Sequence, residues 1–203
     1  MTGYTITNLK KLIGHPDIGE DLCKEILSGF SCPLNGDVEN FIKTKAIPFA
    51  KQGIGQTHIV WAPYKNKPVI CGYYTLATKF TTIPAKHLSG TWRRRISRFA
   101  QYDQNVRGYP IAIPLIGQLG KNYTNGYNTL VAGNELLKLA CDTVAQAQIN
   151  IGGKLVYVEC EDKPKLVEFY QNNGFFKFDE RPLDFDEKDH TSSNYYVQLL
   201  KYI

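Results

Sequence analysis

Two stretches of the chain hold residues of the right type and spacing for group-transfer chemistry. The first, Ile116 to Leu139, reads IGQLGKNYTNGYNTLVAGNELLKL. An apolar strand passes through a loop rich in Gly, Asn and Thr into an amphipathic helix, whose first turn is predicted to hold Val131, Gly133 and Asn134. The first N–H groups of a helix have no carbonyl one turn behind them. Together with the positive end of the helix dipole they suit a diphosphate, so the stretch reads as a phosphate cradle. The second, Lys154 to Phe178, reads KLVYVECEDKPKLVEFYQNNGFFKF and repeats the plan of strand, turn and helix. It adds Tyr170 and an Asn173-Gly174 stop. A phosphate site followed by an ordered tyrosine points to transfer of a group from a nucleotide-bearing carrier.

Several elements must position these stretches. Residues 4–29 read as two short helices with a Gly14-His15-Pro16 break. Asn35 or Asp37 can cap a third, with Val38, Phe41, Ile42, Ala46 and Phe49 at helical spacing until Gly53. Thr57 to Ala62 and Val69 to Ile83 read as a hairpin, with Tyr64 to Lys67 as its turn. The segment Thr91 to Phe99, TWRRRISRF, is the most basic part of the chain. It reads as a solvated surface turn, the alternative being an RNA-contacting patch with Trp92 stacking on a base. Pro110 and Pro114 fall within a strand over Tyr109 to Lys121 and predict an edge or bulge near Pro114. A helix from Val131 to Asn150 buries Gly133, Leu136, Leu137, Ala140, Val144 and Ala147, and makes Lys154 to Glu159 a parallel strand. Asp162 caps the next helix, with Pro164 in its first turn. The acidic segment 179–190 reads as a loop, and Tyr195 to Tyr202 as a last strand.

The totals narrow the function class. A chain of 203 residues suits one substantial core, so residues 1–203 are taken as a single domain. No stretch approaches the ~20 apolar residues of a membrane span. The N-terminal MTGYTITNLKKLIG lacks the features of a secretory signal, and a cytoplasmic location follows by default. Cys23, Cys32, Cys71, Cys141 and Cys160 show no C-x-x-C spacing, so they read as reduced core residues and no metal site is expected. A net charge of +5 is mild and suits an anionic carrier.

The segment EFYQNNGFF, Glu168 to Phe176, is similar to the "FY, three or so residues, GF" signature of the GNAT family of acetyl-CoA-dependent N-acetyltransferases. The family's phosphate loop, Q/R-x-x-G-x-G/A, aligns with Asn128, Thr129, Leu130, Val131, Ala132 and Gly133, where the final glycine alone matches. Phe30 to Trp61 resembles the opening of the subgroup that includes the toxins of toxin-antitoxin pairs. The resemblance implies an α/β GNAT fold: a twisted mixed sheet of about six or seven strands, helices on both faces and a splayed parallel pair. It implies acetyl-CoA as cosubstrate, with its diphosphate on Val131, Ala132, Gly133 and Asn134 and its arm along the backbone of Leu119, Gly120 and Lys121. Main-chain N–H groups there can also stabilise an oxyanion. Tyr170 becomes the general acid, its ordinary pKa of ~10 keeping it protonated, against the alternative of a buried packing tyrosine. Glu159 is a candidate base, directly or through a water, and His58 a strand residue more than a base.

The acceptor implied is a primary amine on a small molecule or peptide. Aminoacyl-tRNA, held partly by Arg93, Arg94 and Arg95, is the alternative within the enzyme class. A coenzyme A-binding module without activity is the alternative outside it. A homodimer joined through sheet edges follows from the resemblance as well.

Overall fold

A computed structural model describes residues 3–185 and 193–203. Its strands are β1 (Thr5–Asn8), β2 (Gln56–Tyr64), β3 (Lys67–Pro84), β4 (Gly108–Lys121), β5 (Leu155–Glu161), β6 (Phe176–Pro182) and β7 (Tyr195–Tyr202). The helices are α1 (Leu9–Ile13), α2 (Gly19–Ser28), α3 (Gly36–Asn40), α4 (Ala46–Gln52), α5 (Gly90–Ile96), α6 (Gly133–Ile151) and α7 (Pro164–Asn172). The strands form one mixed sheet of seven in the order β1-β2-β3-β4-β5-β7-β6. β4 and β5 are its parallel pair, with α6 as the crossover that parallel neighbours require. The α/β class expected from the sequence is the one observed.

The chain divides into two compact units, Met1–Ala77 with Ile116–Ala140, and Thr78–Leu115 with Cys141–Ile203. In the first unit β1 runs antiparallel to β2, with Thr5 opposite Trp61 and Asn8 opposite His58. The sequence reading missed β1, which is short and passes directly into α1. Asn8 makes that junction: its Oδ1 accepts the N–H groups of Lys10 and Lys11 at 2.9 and 3.3 Å. β2 and β3 form the expected hairpin, closed by Lys65 and Asn66 with φ of 47° and 63°. Two positive φ angles in a two-residue loop match the right-handed twist of the strands.

The third expected helix is interrupted. Asn35, not Asp37, caps α3, its Oδ1 accepting from Asp37 N and Val38 N at 3.0 and 3.2 Å. A wide π turn, Phe41–Lys45, then leads into α4, which ends at Gly53 with φ of 77°. Pro48 accounts for the widening: it has no N–H for the Thr44 carbonyl, and its ring would crowd that carbonyl in a regular helix. These helices bury Phe30, Phe41, Ile42 and Ala46 with Ile59 and Tyr73 of the sheet.

Two glycines let the layers of this unit approach. A Cβ on Gly72 would lie 2.9 Å from the Gly120 carbonyl oxygen and 3.1 Å from Leu136 Cδ2. One on Gly120 would lie 2.3 Å from Val38 Cγ1 and 3.3 Å from Tyr73 Cε1.

In the second unit β7 pairs antiparallel with both β5 and β6, Val158 facing Leu199 and Phe176 facing Leu200. Its core holds Ile83, Ile96, Ile113, Tyr157, Phe178 and Leu200. The basic segment expected as a surface turn is the helix α5, capped by Ser89 Oγ, which accepts from Trp92 N at 3.3 Å. β4 is no edge strand: it sits fourth in the order and continues through both prolines. Pro110 and Pro114 are four residues apart, so their nitrogens face the same side of the strand and cost ladder bonds to one neighbour only. β6 runs to Pro182, so the expected loop starts later than residue 179, and residues 186–190 of it lie outside the described residues.

Gly120→Ala is expected to destabilise the protein by roughly 1–3 kcal/mol through overpacking against Val38. Denaturant melts should show Val38→Ala recovering part of that loss in the double variant.

Candidate active site

The mouth of α6 begins later than the sequence suggests. Val131 is extended, with φ −138° and ψ 132°, and its side chain is buried in the core. The helix opens at Gly133, and Ala132 precedes it, its carbonyl accepting the first helical bond from Leu136 N at 3.0 Å. Glu135, three residues on, reaches back so that its Oε2 accepts the Ala132 N–H at 2.9 Å. This is one half of a capping box. The other half would be a hydroxyl or carboxylate at 132, and alanine has neither. The first-turn N–H groups of Gly133, Asn134 and Glu135 are left without the side-chain acceptor that normally serves them. Ala132 and Asn134 are exposed, and small residues at 132 and 133 keep the backbone open.

Glu135 is itself held. The Tyr4 hydroxyl lies 3.0 Å from the same Oε2 and 3.0 Å from the Leu130 carbonyl, and its single hydrogen serves one at a time. The Ala132 N–H and the Tyr4 hydroxyl keep the Glu135 carboxyl below its ordinary pKa. Burial first, and Glu135 second, push the Tyr4 hydroxyl up to about 12. Both groups therefore keep one protonation state across the physiological range.

The loop entering this mouth is pinned at its start by Asn122, which is 4% exposed. Its Oδ1 accepts from Ser31 N and Thr124 N, both at 3.1 Å, and its Nδ2 donates to Ile70 O at 2.9 Å. Asn125 and Gly126 then take φ of 51° and 74°. Leu119 and Lys121, at the end of β4, are half-buried, while Gly120 is buried under Val38.

In the second unit, Tyr170 lies in the last turn of α7, 6% exposed, its ring edge-on to Phe169 at 5.2 Å and Phe175 at 5.6 Å. Lys163 precedes the helix without a side-chain capping bond, and the expected cap, Asp162, instead accepts from the Tyr195 hydroxyl at 2.6 Å. Pro164 and the Asn173-Gly174 stop are as expected, Gly174 having φ of 82°. Burial, with smaller contributions from Cys160 and Cys141, raises the Tyr170 pKa well above the phenol range. No described residue bonds its hydroxyl, and no side-chain nitrogen or oxygen among the described residues is both sealed and unbonded.

Glu159 is clamped. Arg181 donates to it twice, Nε to Oε1 and Nη2 to Oε2, each at 2.8 Å, and the Tyr157 hydroxyl donates to Oε1. Burial alone would raise its pKa, yet the bonds from Arg181 and Tyr157 and the charges of Arg181 and Lys79 outweigh it and leave the carboxyl below its ordinary value. A carboxylate so paired is a poor proton acceptor. His58 stacks on Tyr74 at 5.0 Å, a packing role, with burial lowering its pKa.

In α5, Arg93 donates to the Ala85 carbonyl at 2.8 Å, and Arg95 lies over the rings of Trp92 and Tyr202 at 5.4 and 4.9 Å. Trp92 itself stacks on Phe176. Arg93 and Arg94 are exposed, and Arg95 is half-buried. All five cysteines are buried thiols, and no group of three potential metal ligands occurs among the described residues. No helix among them is long and apolar enough to cross a membrane.

No protein-family model and no curated protein sequence matches this chain. Solved structures do. AtaT complexed with acetyl-methionyl-tRNAfMet is similar at a TM-score of 0.61 and 17% identity, over 96% of this chain and 93% of that one. A tyrosine-to-phenylalanine mutant of KacT gives 0.59 and 18%, over 96% and 94%. AtaTR bound with AcCoA gives 0.54 and 18%, over 97% and 93%. The chain has the GNAT fold. Identities this low speak for the GNAT fold and leave the activity to be argued from the residues.

Tyr4, Glu135, Asn122 and Arg181 were not singled out by the sequence reading. Ala132-x-x-Glu135 carries half the spacing of a capping box and was legible in principle. The other three act on partners at least 20 residues away, or through burial, and leave no local signal.

Arg181→Met is expected to cost roughly 3–5 kcal/mol, because it strands a buried carboxylate. Glu159 has a folded pKa below its ordinary value of 4.5, so its stabilisation is complete above that pH and is lost as pH falls through the folded value. Thermal melts of Glu159→Gln and the parent should therefore converge in acid and separate above it.

Proposed function

We propose that this chain is an acetyl-CoA-dependent N-acetyltransferase acting on a primary amine, and that its acceptor is the amino group of an aminoacyl-tRNA. The observation that carries the first statement is the half-capped mouth of α6, whose free N–H groups fit a diphosphate. The GNAT fold of the chain, shared with a structure bound with AcCoA, supports the same donor. The complex of AtaT with acetyl-methionyl-tRNAfMet supports the acceptor, as does the exposed Arg94 of α5.

Acetyl-CoA supplies the activated acetyl group as a thioester. The amides of Gly133, Asn134 and Glu135 hold the diphosphate, and the backbone of Leu119 to Lys121 lines the arm. The amine lone pair attacks the thioester carbonyl, a C–N bond forms, and the C–S bond breaks. Tyr170 donates a hydrogen bond to the departing sulfur, and the proton released by the newly acylated nitrogen passes to solvent, from which the thiolate is reprotonated. An ordinary phenol is already a weaker acid than a thiol by about 1.5 pKa units, roughly 2 kcal/mol, and burial widens that gap. Full transfer ahead of bond cleavage is thus uphill. Tyr170 works best as a hydrogen bond that strengthens while charge builds on sulfur.

The clamp on Glu159 gives it a scaffolding part in this reading, with amine deprotonation left to solvent.

Tyr170→Phe is expected to lower turnover at least about tenfold while acetyl-CoA affinity stays within about threefold. The assay is thiol release across small amines, peptides and charged tRNA. Full activity of the variant would remove Tyr170 from the chemistry. Acetyl-CoA binding without release on any acceptor would make the chain a binding module.

A further inference from the structure

We infer that Asp37 is the carboxylate that captures the ammonium group of the acceptor and that Gln118 is its positioning residue; this rests on the acyltransferase reading above. Asp37 stands half-buried in the first turn of α3, and its Oδ2 accepts from Gln118 Nε2 at 3.0 Å. Gln118 belongs to β4 and comes two residues before Gly120, the middle of the segment assigned to the arm of the acyl carrier. Two residues of strand span about 7 Å, and residues two apart share a face. The same turn is fastened to that region twice more. Val38 fills the space that a side chain on Gly120 would need, and its carbonyl accepts from the buried Tyr73 hydroxyl at 2.6 Å. The carboxylate is thereby held beside the strand along which the thioester would lie.

Other half-buried carboxylates are already occupied. Glu39 pairs with Lys43 at 2.6 Å, Glu159 with Arg181, and Asp103 accepts two backbone N–H groups. Asp37 has neither a cation nor a backbone N–H on its carboxylate among the described residues, and the cap of α3 is Asn35. A carboxylate in a first turn suits the helix dipole, which accounts for the charge but not for the glutamine that orients it. Gln118 spends its donor on Asp37, and its amide oxygen takes no bond from a described residue. Carboxylate and amide oxygen offer acceptors, and an ammonium offers donors alone. A carboxylate also favours the ammonium over the free amine, so the pair captures and aims the acceptor while loss of the proton stays with solvent.

Equilibrium binding of methionyl-tRNA and of its deaminated counterpart, with a hydroxyl in place of the α-amino group, tests this without an acetyl donor present. The parent should bind the amino form about tenfold more tightly, the scale of one charge-assisted hydrogen bond. Asp37→Asn should bring the two forms within about twofold of each other with acetyl-CoA affinity changed by less than about twofold, and Gln118→Leu should lower the preference at least about threefold. Asn35 keeps its cap in both variants, and a general fold defect would weaken both forms alike. A preference retained in Asp37→Asn, equal weakening of both forms, or a Gln118→Leu variant with the parent's preference would overturn the inference and leave the acyltransferase reading standing. A parent that binds neither form, or both equally, would instead overturn the aminoacyl-tRNA acceptor on which the inference rests.

Discussion

A helix preceded by alanine leaves three amide hydrogens with no side-chain acceptor among the described residues, and the candidate donor site depends on that deficit. Proteins usually place Ser, Thr, Asp or Asn at this position because each free N–H in the first turn loses a hydrogen bond. Here the omission is selective. Glu135 serves the Ala132 N–H, and no side-chain acceptor among the described residues serves the next three. The rest of the first unit holds the turn in place: Asn122 pins the loop at one end, Tyr4 at the other, and the Gly72–Gly120 approach lets α6 pack close to the sheet through Leu136.

The second unit solves a different problem, a polar group made available from an apolar setting. Tyr170 is locked by Phe169 and Phe175, and no described residue is bonded to its hydroxyl. Glu159 is the opposite case. Its acceptor capacity is taken by Arg181 and Tyr157, and Gln198 donates to the same tyrosine hydroxyl at 2.6 Å. A satisfied buried network of this kind rigidifies the sheet beneath a site more than it takes part in proton transfer.

Much of the fold was legible because its signals are local. The Asn173-Gly174 stop, the Lys65-Asn66 hairpin and the last strand follow from turn chemistry and alternation within a few residues. The missed features depend on distant or competing effects. β1 is too short to show a period, and the basic segment is helical because Ser89 caps it and Trp92 packs on Phe176. The prolines in β4 suggested an edge, and even spacing let a central strand keep them. Among the candidate residues, Gly133 and Tyr170 were visible as types in a pattern. The identity of their supporting partners was not, since Tyr4 and Arg181 carry no mark of their role until the chain is folded.

The most direct measurement is amide exchange by NMR at Gly133, Asn134 and Glu135 during titration with coenzyme A. These three amides are expected to shift and become protected together, ahead of others in the loop. Exchange at the α6 mouth left unchanged while coenzyme A binds and protects amides elsewhere would contradict it.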